Sequence, residues 1–416
     1  MIIKDNNIRF MKKFLFVLLS SIMVLACSDD FVDVDSFDED SENFFNSEED
    51  YQSALLATYD LLQSTYINVM LGEIASDNTL AGGESATDTP GIQEIDDMVH
   101  TPVSQQLRDI WGWMYSGIYR ANYIMEFQDK TDFAGKDVVL AETRFLRAYY
   151  YFELVKWFGD VPLTIDRRID FGEQNTIDRV PKSEVYAQME QDLIFAVATL
   201  PVTGSDEGRA TKGAAQALLG KAYLYQDKFT EAATVLEDLI NNGPYDLVTE
   251  TRNVEGLTIL PIFENDSENN IESVFEVQYI DTEGAGFGCL QCSEGNVAVG
   301  FNGIRNYNGP TFDSGFSFNV PTQEMVDAFE AGDIRLDTAI LDINAWASDT
   351  GATFVSGFEH TGYYNRKYIA RQGDLNTGDA NLTNPNNYRA IRFADVLLMA
   401  AEALNRGSIS DTRAQG

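Results

Sequence analysis

Residues 142–163 read ETRFLRAYYYFELVKWFGDVPL, and the stretch poses a choice between an aromatic surface for ligand stacking and the interior of a helical protein. Phe145, Ala148, Tyr149 and Phe152 recur at i, i+3, i+4 and i+7, while Leu146, Tyr150, Leu154 and Trp157 form a second stripe on a neighbouring face. A helix that is apolar over most of its circumference has to be covered from more than one side. The spacing therefore predicts a core helix, stopped by Gly159 and Pro162.

Other segments share this texture. Residues 47–63, SEEDYQSALLATYDLLQ, offer a serine cap, acids in the first turn, and Tyr51, Leu55, Tyr59 and Leu62 at helical spacing. In WGWMYSGIYRANYIMEF, residues 111–127, Trp111, Tyr115, Ile118, Asn122 and Met125 step by three or four. Residues 210–247 place Leu219, Gly220, Tyr223, Ala232, Leu236 and Pro244 at the spacing of a tetratricopeptide unit, with Leu239 where a small residue is usual. Several such hairpins would stack into a superhelix. From about residue 241 to 387 the chain becomes irregular: SVFEVQYI alternates like a strand, and Gly-, Asn- and aromatic-rich stretches follow. Long loops inside a compact protein are usually functional. Helix returns at about 388–407 with YRAIRFADVLLMAAEALNRG.

Composition narrows the partners. With 29 Lys+Arg against 66 Asp+Glu among 416 residues, the net charge is −37. That charge repels phosphate backbones, so no nucleic-acid partner is expected. The start of the chain indicates a compartment. MKKFLFVLLSSIMVLACSDD, from Met11, has two lysines, an apolar run from Phe14 to Leu25 too short to span a bilayer, and then Cys27. Residues 1–26 are read as a lipoprotein signal peptide and Cys27 as its acylated residue; the alternative is a cysteine beside an ordinary cleavage site. Residues 27–46 then form an acidic flexible tether, because their aspartates lack the glycine and glutamate positions of a calcium loop. Contact with the membrane is expected through the lipid alone.

Taken in order, the Val-Leu-Ala-Cys box, NFFNSEEDYQSALLATYDLL, EIASDNTL, the 142–163 helix ending in Trp-Phe-Gly-Asp-Val-Pro, the tetratricopeptide-like unit and the Arg-Phe-Ala-Asp-Val-Leu-Leu-Met-x-Ala-Glu-Ala helix resemble the SusD/RagB family over roughly residues 27–407. The resemblance implies a mainly α fold: a tetratricopeptide-like helical-hairpin superhelix carrying a large irregular, loop-rich ligand-binding part. It implies one domain over 47–416, with scaffold at about 47–240 and 388–407 and an insert at about 241–387. It further implies an outer-membrane lipoprotein facing the cell exterior, which binds an oligosaccharide or other nutrient polymer and acts as a lid on a SusC-like TonB-dependent transporter, without cleaving its ligand. Family members continue beyond the Ala-Glu-Ala helix, so a truncated C-terminus is expected, leaving Phe393, Val396, Leu397 and Ala400 in want of a covering partner.

Only two histidines, His100 and His360, are present, and no His-Glu-x-x-His, Gly-x-Ser-x-Gly or P-loop pattern occurs. No catalytic residue, cofactor or metal is assigned. A surface glycoside hydrolase, which needs only two carboxylates, and a tetratricopeptide-type interaction adaptor without a small ligand are the alternatives. Cys289 and Cys292 have C-x-x-C spacing, with no second pair or nearby histidine to complete a zinc site, and outside the cytoplasm a local disulfide is favoured over free thiols. Sugar binding asks for an aromatic face flanked by polar groups. The candidates are Trp346, the only tryptophan of the irregular part; Tyr307 with Asn302 and Arg305; and Asp77 with Asn78, from a loop whose counterpart in the family borders the ligand face.

Overall fold

A computed structural model describes residues 44–169, 172–173, 176–284, 286–374 and 381–415. The signal peptide, Cys27 and most of the acidic tether lie outside the described residues. Seven helices of 13 residues or more occur among the described residues: α1 (Glu48–Asp60), α2 (Gln105–Glu126), α3 (Lys136–Phe158), α4 (Lys182–Thr199), α5 (Lys212–Leu224), α6 (Phe229–Asn242) and α7 (Phe393–Arg406). From α2 to α7 each packs on the next, and α1 lies against α2 and α3. The expected stack of helix pairs is present.

Local chemistry explains the helix ends. Ser47 caps α1 by accepting from the Asp50 amide, and the Asp50 carboxylate returns the bond to the Ser47 amide at 2.9 Å. Gly159, at φ 69°, terminates α3 where the sequence places the stop. The aromatic run of α3 is core. Phe145, Tyr150 and Tyr151 are fully buried, and Tyr149 and Phe152 nearly so. The tyrosine hydroxyls are satisfied inside: Tyr150 donates to the Thr58 carbonyl at 2.6 Å and Tyr151 to that of Thr164 at 2.8 Å. Arg147 of the same helix is 3% exposed and forms a two-pronged ion pair with Asp192 of α4, at 2.7 and 2.9 Å. Small residues set the approach of neighbouring helices. A Cβ on Gly117 of α2 would lie 2.4 Å from the Tyr150 ring, and one on Gly220 of α5 would lie 2.4 Å from Leu236 of α6.

Between α6 and α7 the chain forms short helices and two-stranded pairs. Strand Ser273–Val277 pairs antiparallel with Tyr388–Arg392, which is expected from sequence as the start of the last helix but forms a strand before it, so the C-terminal end of the irregular part is fastened beside one of its own earlier segments. Residues such as Phe263, Phe275, Phe301, Phe318 and Tyr368 join the main hydrophobic core. A second cluster, around Ile304, Tyr307, Phe312, Leu341, Trp346 and Tyr364, belongs to the insert itself.

The insert also rests on buried charge. Glu264 accepts from Nε and Nη2 of Arg371, each at 3.1 Å, and pairs with Arg366 at 3.1 Å, and the two cations hold its carboxyl below the usual range despite its burial. Nearby Glu268 accepts from the Asn387 amide at 2.7 Å, yet burial pushes its carboxyl up to about 7.

The expectation of an uncovered last helix needs correction. Phe393, Val396 and Ala400 are buried because α7 packs on α6 and α5, and Leu398 is the apolar side chain left outside, at 70% exposure.

Candidate functional site

The positions chosen for ligand stacking from sequence do not form a site. Trp346 lies on the short helix Ile343–Thr350, is 4% exposed, and donates its indole Nε1–H to the Tyr307 hydroxyl at 2.8 Å. Its ring packs 5.1 Å from that of Phe312. Tyr307 is likewise buried and donates to the Pro310 carbonyl at 2.7 Å. Asn302 ends the helix Val297–Asn302 and is fully buried. All three therefore pack inside the protein and present no face to a ligand. Asp77 and Asn78 are exposed, but their carbonyls hold Thr322 beside the strand pair Thr79–Ala81 and Asn319–Pro321, apart from the lining of the cavity described next. Cys289 and Cys292 are joined in a disulfide.

Arg305 alone of these residues lines a large cavity, of about 700 Å³. Four parts of the chain enclose it. Tyr66, Ile67 and Met70 come from the segment after α1; residues 84–104 supply a loop with the helix Pro90–Asp96; α2 contributes Gln106, Asp109 and Trp113; and the insert contributes Phe287, Leu290, Phe301, Phe316 and Phe318.

The rings form a continuous wall. Trp113 stands 6.1 Å from Tyr66, Tyr66 is 6.4 Å from Phe301, and Phe301 is 5.9 Å from Phe316 and 5.6 Å from Phe318. Phe287, 60% exposed, extends the wall outward at 5.9 Å from Phe316. Trp113 and Phe316 are half-buried and so present part of a face to the cavity.

Polar groups meet this wall at its edges. Arg305 is held by the Phe316 carbonyl at 2.6 Å and the Ser317 hydroxyl at 3.3 Å, with Asp88 at a looser 3.5 Å. Asp88 in turn accepts from the Glu84 amide at 2.8 Å. Gln106 is seated against Gly91, where a Cβ would fall 1.9 Å from its Oε1, so glycine is required there for the side chain to fit. The described lining residues include four carboxylates, Glu84, Asp88, Glu94 and Asp109, and one guanidinium, Arg305, which lies 3.5 Å from Asp88; Asp109 is paired with Arg108 at 2.9 Å. Burial, with Asp109 adding its charge, raises the Tyr66 phenol far above its usual range and keeps it neutral.

Another cavity, of about 560 Å³, lies across α2, along Trp111, Tyr115 and Tyr119. Its polar groups are already engaged: Tyr115 donates to the Pro162 carbonyl at 2.7 Å and Asn122 to that of Thr164 at 2.9 Å. The larger cavity has the chemistry of a stacking site, with aromatic faces for C–H surfaces and donors and acceptors at their edges.

Sequence reasoning missed Trp113. A signal was available, because Trp113 falls off the stripe of Trp111, Tyr115, Ile118 and Asn122 on which the helical reading rests, and an aromatic outside such a stripe asks for a second partner.

Comparison with known proteins gives concordant results. Residues 30–224 match a family model described as starch-binding and associating with the outer membrane, and residues 342–415 match the model of the SusD family. A SusD-like protein, P2, of Formosa agariphila is 27% identical over 402 residues, spanning 90% of this chain and 74% of the relative. Among solved structures, a laminarin-binding SusD-like protein is 35% identical with a TM-score of 0.79, covering 89% of this chain and 82% of that one. Surface glycan-binding protein A of Bacteroides thetaiotaomicron, solved with laminarihexaose, shares the fold with a TM-score of 0.75 at 24% identity, over 88% of this chain and 80% of its own.

Proposed function

Because the chain belongs to the SusD/RagB family, we propose that it binds a neutral oligosaccharide in the cleft between residues 84–104, the head of α2 and the insert. The observation that carries this reading is the aromatic wall from Trp113 to Phe287 with Arg305, Asp88 and Gln106 at its margin. Stacked rings cover the apolar face of a pyranose, and the marginal groups bond its hydroxyls. With Asp109 balanced by Arg108, the lining still sets Glu84, Asp88 and Glu94 against one guanidinium, which disfavours uronates and sulfated sugars, whose charge would be repelled on entry. A laminarin-type glucan, the ligand named for the 35% identical relative, is uncharged and fits this balance.

The family and the first residues support the rest of this reading. Cys27 carries a lipid anchor, the acidic segment after it acts as a tether, and the domain faces outward on the outer membrane. There it serves as the lid of a SusC-like TonB-dependent transporter and passes on the glycan without cleaving it. The test is calorimetric titration with laminarihexaose, alongside an oligosaccharide bearing uronates, together with a reducing-sugar assay. Binding of the neutral ligand alone with no new reducing ends is expected, and Trp113→Ala should weaken it roughly tenfold or more. Release of reducing sugar would replace this reading with a hydrolase.

A further inference from the structure

We infer that the Cys289–Cys292 disulfide is a positioning element of the glycan cleft, holding the Phe287 ring at the outer end of the aromatic wall. The inference rests on the glycan-cleft reading above and adds a role for a bond that reading does not use.

The geometry is as follows. Phe287 is flanked by Gly286 and Gly288, and a Cβ at either glycine would meet nothing within 4 Å, so apart from one long turn bond, from the Cys289 amide to the Gly286 carbonyl at 3.4 Å, little in the local backbone or its packing fixes the ring. Phe287 is 60% exposed and its only ring contact among the described residues is with Phe316. A phenylalanine so placed gains little by staying put. Immediately after it comes the stapled turn. Cys289 accepts from the Cys292 amide at 3.2 Å, and the disulfide closes the same four residues covalently. Leu290, inside the staple, packs against the main core and lines the cleft. The turn Leu290–Cys292 rests on the segment Leu61–Tyr66, which carries Tyr66 of the wall. The loop is tied at its base, where the Ile280 amide donates to the Glu294 carbonyl at 2.8 Å and Ser293 donates to the Leu382 carbonyl at 3.0 Å. The base thus stands without the disulfide, while the arm bearing Phe287 depends on it. A bond placed there contributes little to the scaffold and much to the order of one ring, so it raises affinity by reducing the freedom that the ligand would otherwise have to remove.

Reduction by a dithiol breaks the S–S bond with uptake of two electrons and two protons, giving two thiols as the dithiol closes to its own disulfide. The experiment compares the oxidised full chain, the chain treated with dithiothreitol, and the Cys289→Ser/Cys292→Ser variant, by titration with laminarihexaose and by thermal melting. The expected result is binding weakened roughly five- to tenfold in the reduced and double-serine forms, with melting temperatures matching the oxidised chain. Phe287→Ala should show the weaker affinity in both redox states and no response to dithiothreitol, and Phe287→Tyr should recover both affinity and response. Equal affinity of the oxidised and reduced chains overturns the role of the disulfide and leaves the cleft reading standing. A common fall in melting temperature and affinity overturns it in favour of a structural brace. Absence of binding by every form overturns the cleft reading itself, and the inference with it.

Discussion

Replacing Trp346 by alanine removes an indole that is 4% exposed, packs 5.1 Å from Phe312, and donates to Tyr307 at 2.8 Å. Truncating a buried tryptophan costs about 3–5 kcal/mol. The lost hydrogen bond accounts for about 1 kcal/mol of that, because Tyr307 still donates to the Pro310 carbonyl. At roughly 2 °C per kcal/mol for a chain of this size, the melting temperature should fall by about 6–10 °C if the insert and scaffold unfold together. If the second cluster opens by itself, the loss appears instead as faster hydrogen exchange across 304–369 with little change elsewhere. Trp346→Phe, which keeps a ring, should cost about 1–2 kcal/mol. Laminarihexaose affinity should stay within about threefold, since the indole lies outside the lining of the cleft. Calorimetric melting and titration on the same preparations decide the matter. Wild-type stability with abolished binding would refute the assignment and return Trp346 to the ligand.

Three further outcomes are expected. Arg147→Ala leaves Asp192 buried and unpaired, so urea unfolding should show a loss of about 3–5 kcal/mol, part of which Asp192→Asn should restore in the double variant. Gly117→Ala drives a methyl into the Tyr150 ring, which is anchored by its bond to Thr58, and should cost about 1–3 kcal/mol in the same assay. The Glu268 carboxyl, raised to about 7 in the folded chain, favours the folded state when protonated. Its contribution is therefore full below the ordinary glutamate range and is lost as pH rises toward 7; Glu268→Gln should flatten that decline in stability between pH 5 and 7.5.

How far the sequence could be read depended on how far apart the contacting residues lie. The α3 stripes and the Gly220 to Leu236 contact between α5 and α6 are local, and their periodicity alone identifies them as core. Trp346 sits on an eight-residue helix among small polar neighbours, too short for a stripe to show. What buries it is Tyr307, Phe312 and Tyr364, brought in from other parts of the insert by strand pairing such as that of Ile340–Asp342 with Tyr363–Asn365. Arg305 does line the cleft, held there by the Phe316 carbonyl and the Ser317 hydroxyl and not beside Tyr307, the aromatic neighbour that suggested it. The cleft itself unites residues 66, 113 and 316, a combination that no local window contains. The chemistry of each piece was visible in the sequence, and the meeting of the pieces was not.

The fastening of Ser273–Val277 to Tyr388–Arg392 bears on the order in which the chain is made. Helix α6 ends at Asn242, yet the helix that covers it begins at Phe393. During synthesis or export, every residue of the insert emerges before the apolar edge of α6 gains its permanent neighbour. The stack must wait open while the insert is completed. Changes within the insert that delay the meeting of these two strands would then lower the yield of folded protein without altering the stability of the finished fold.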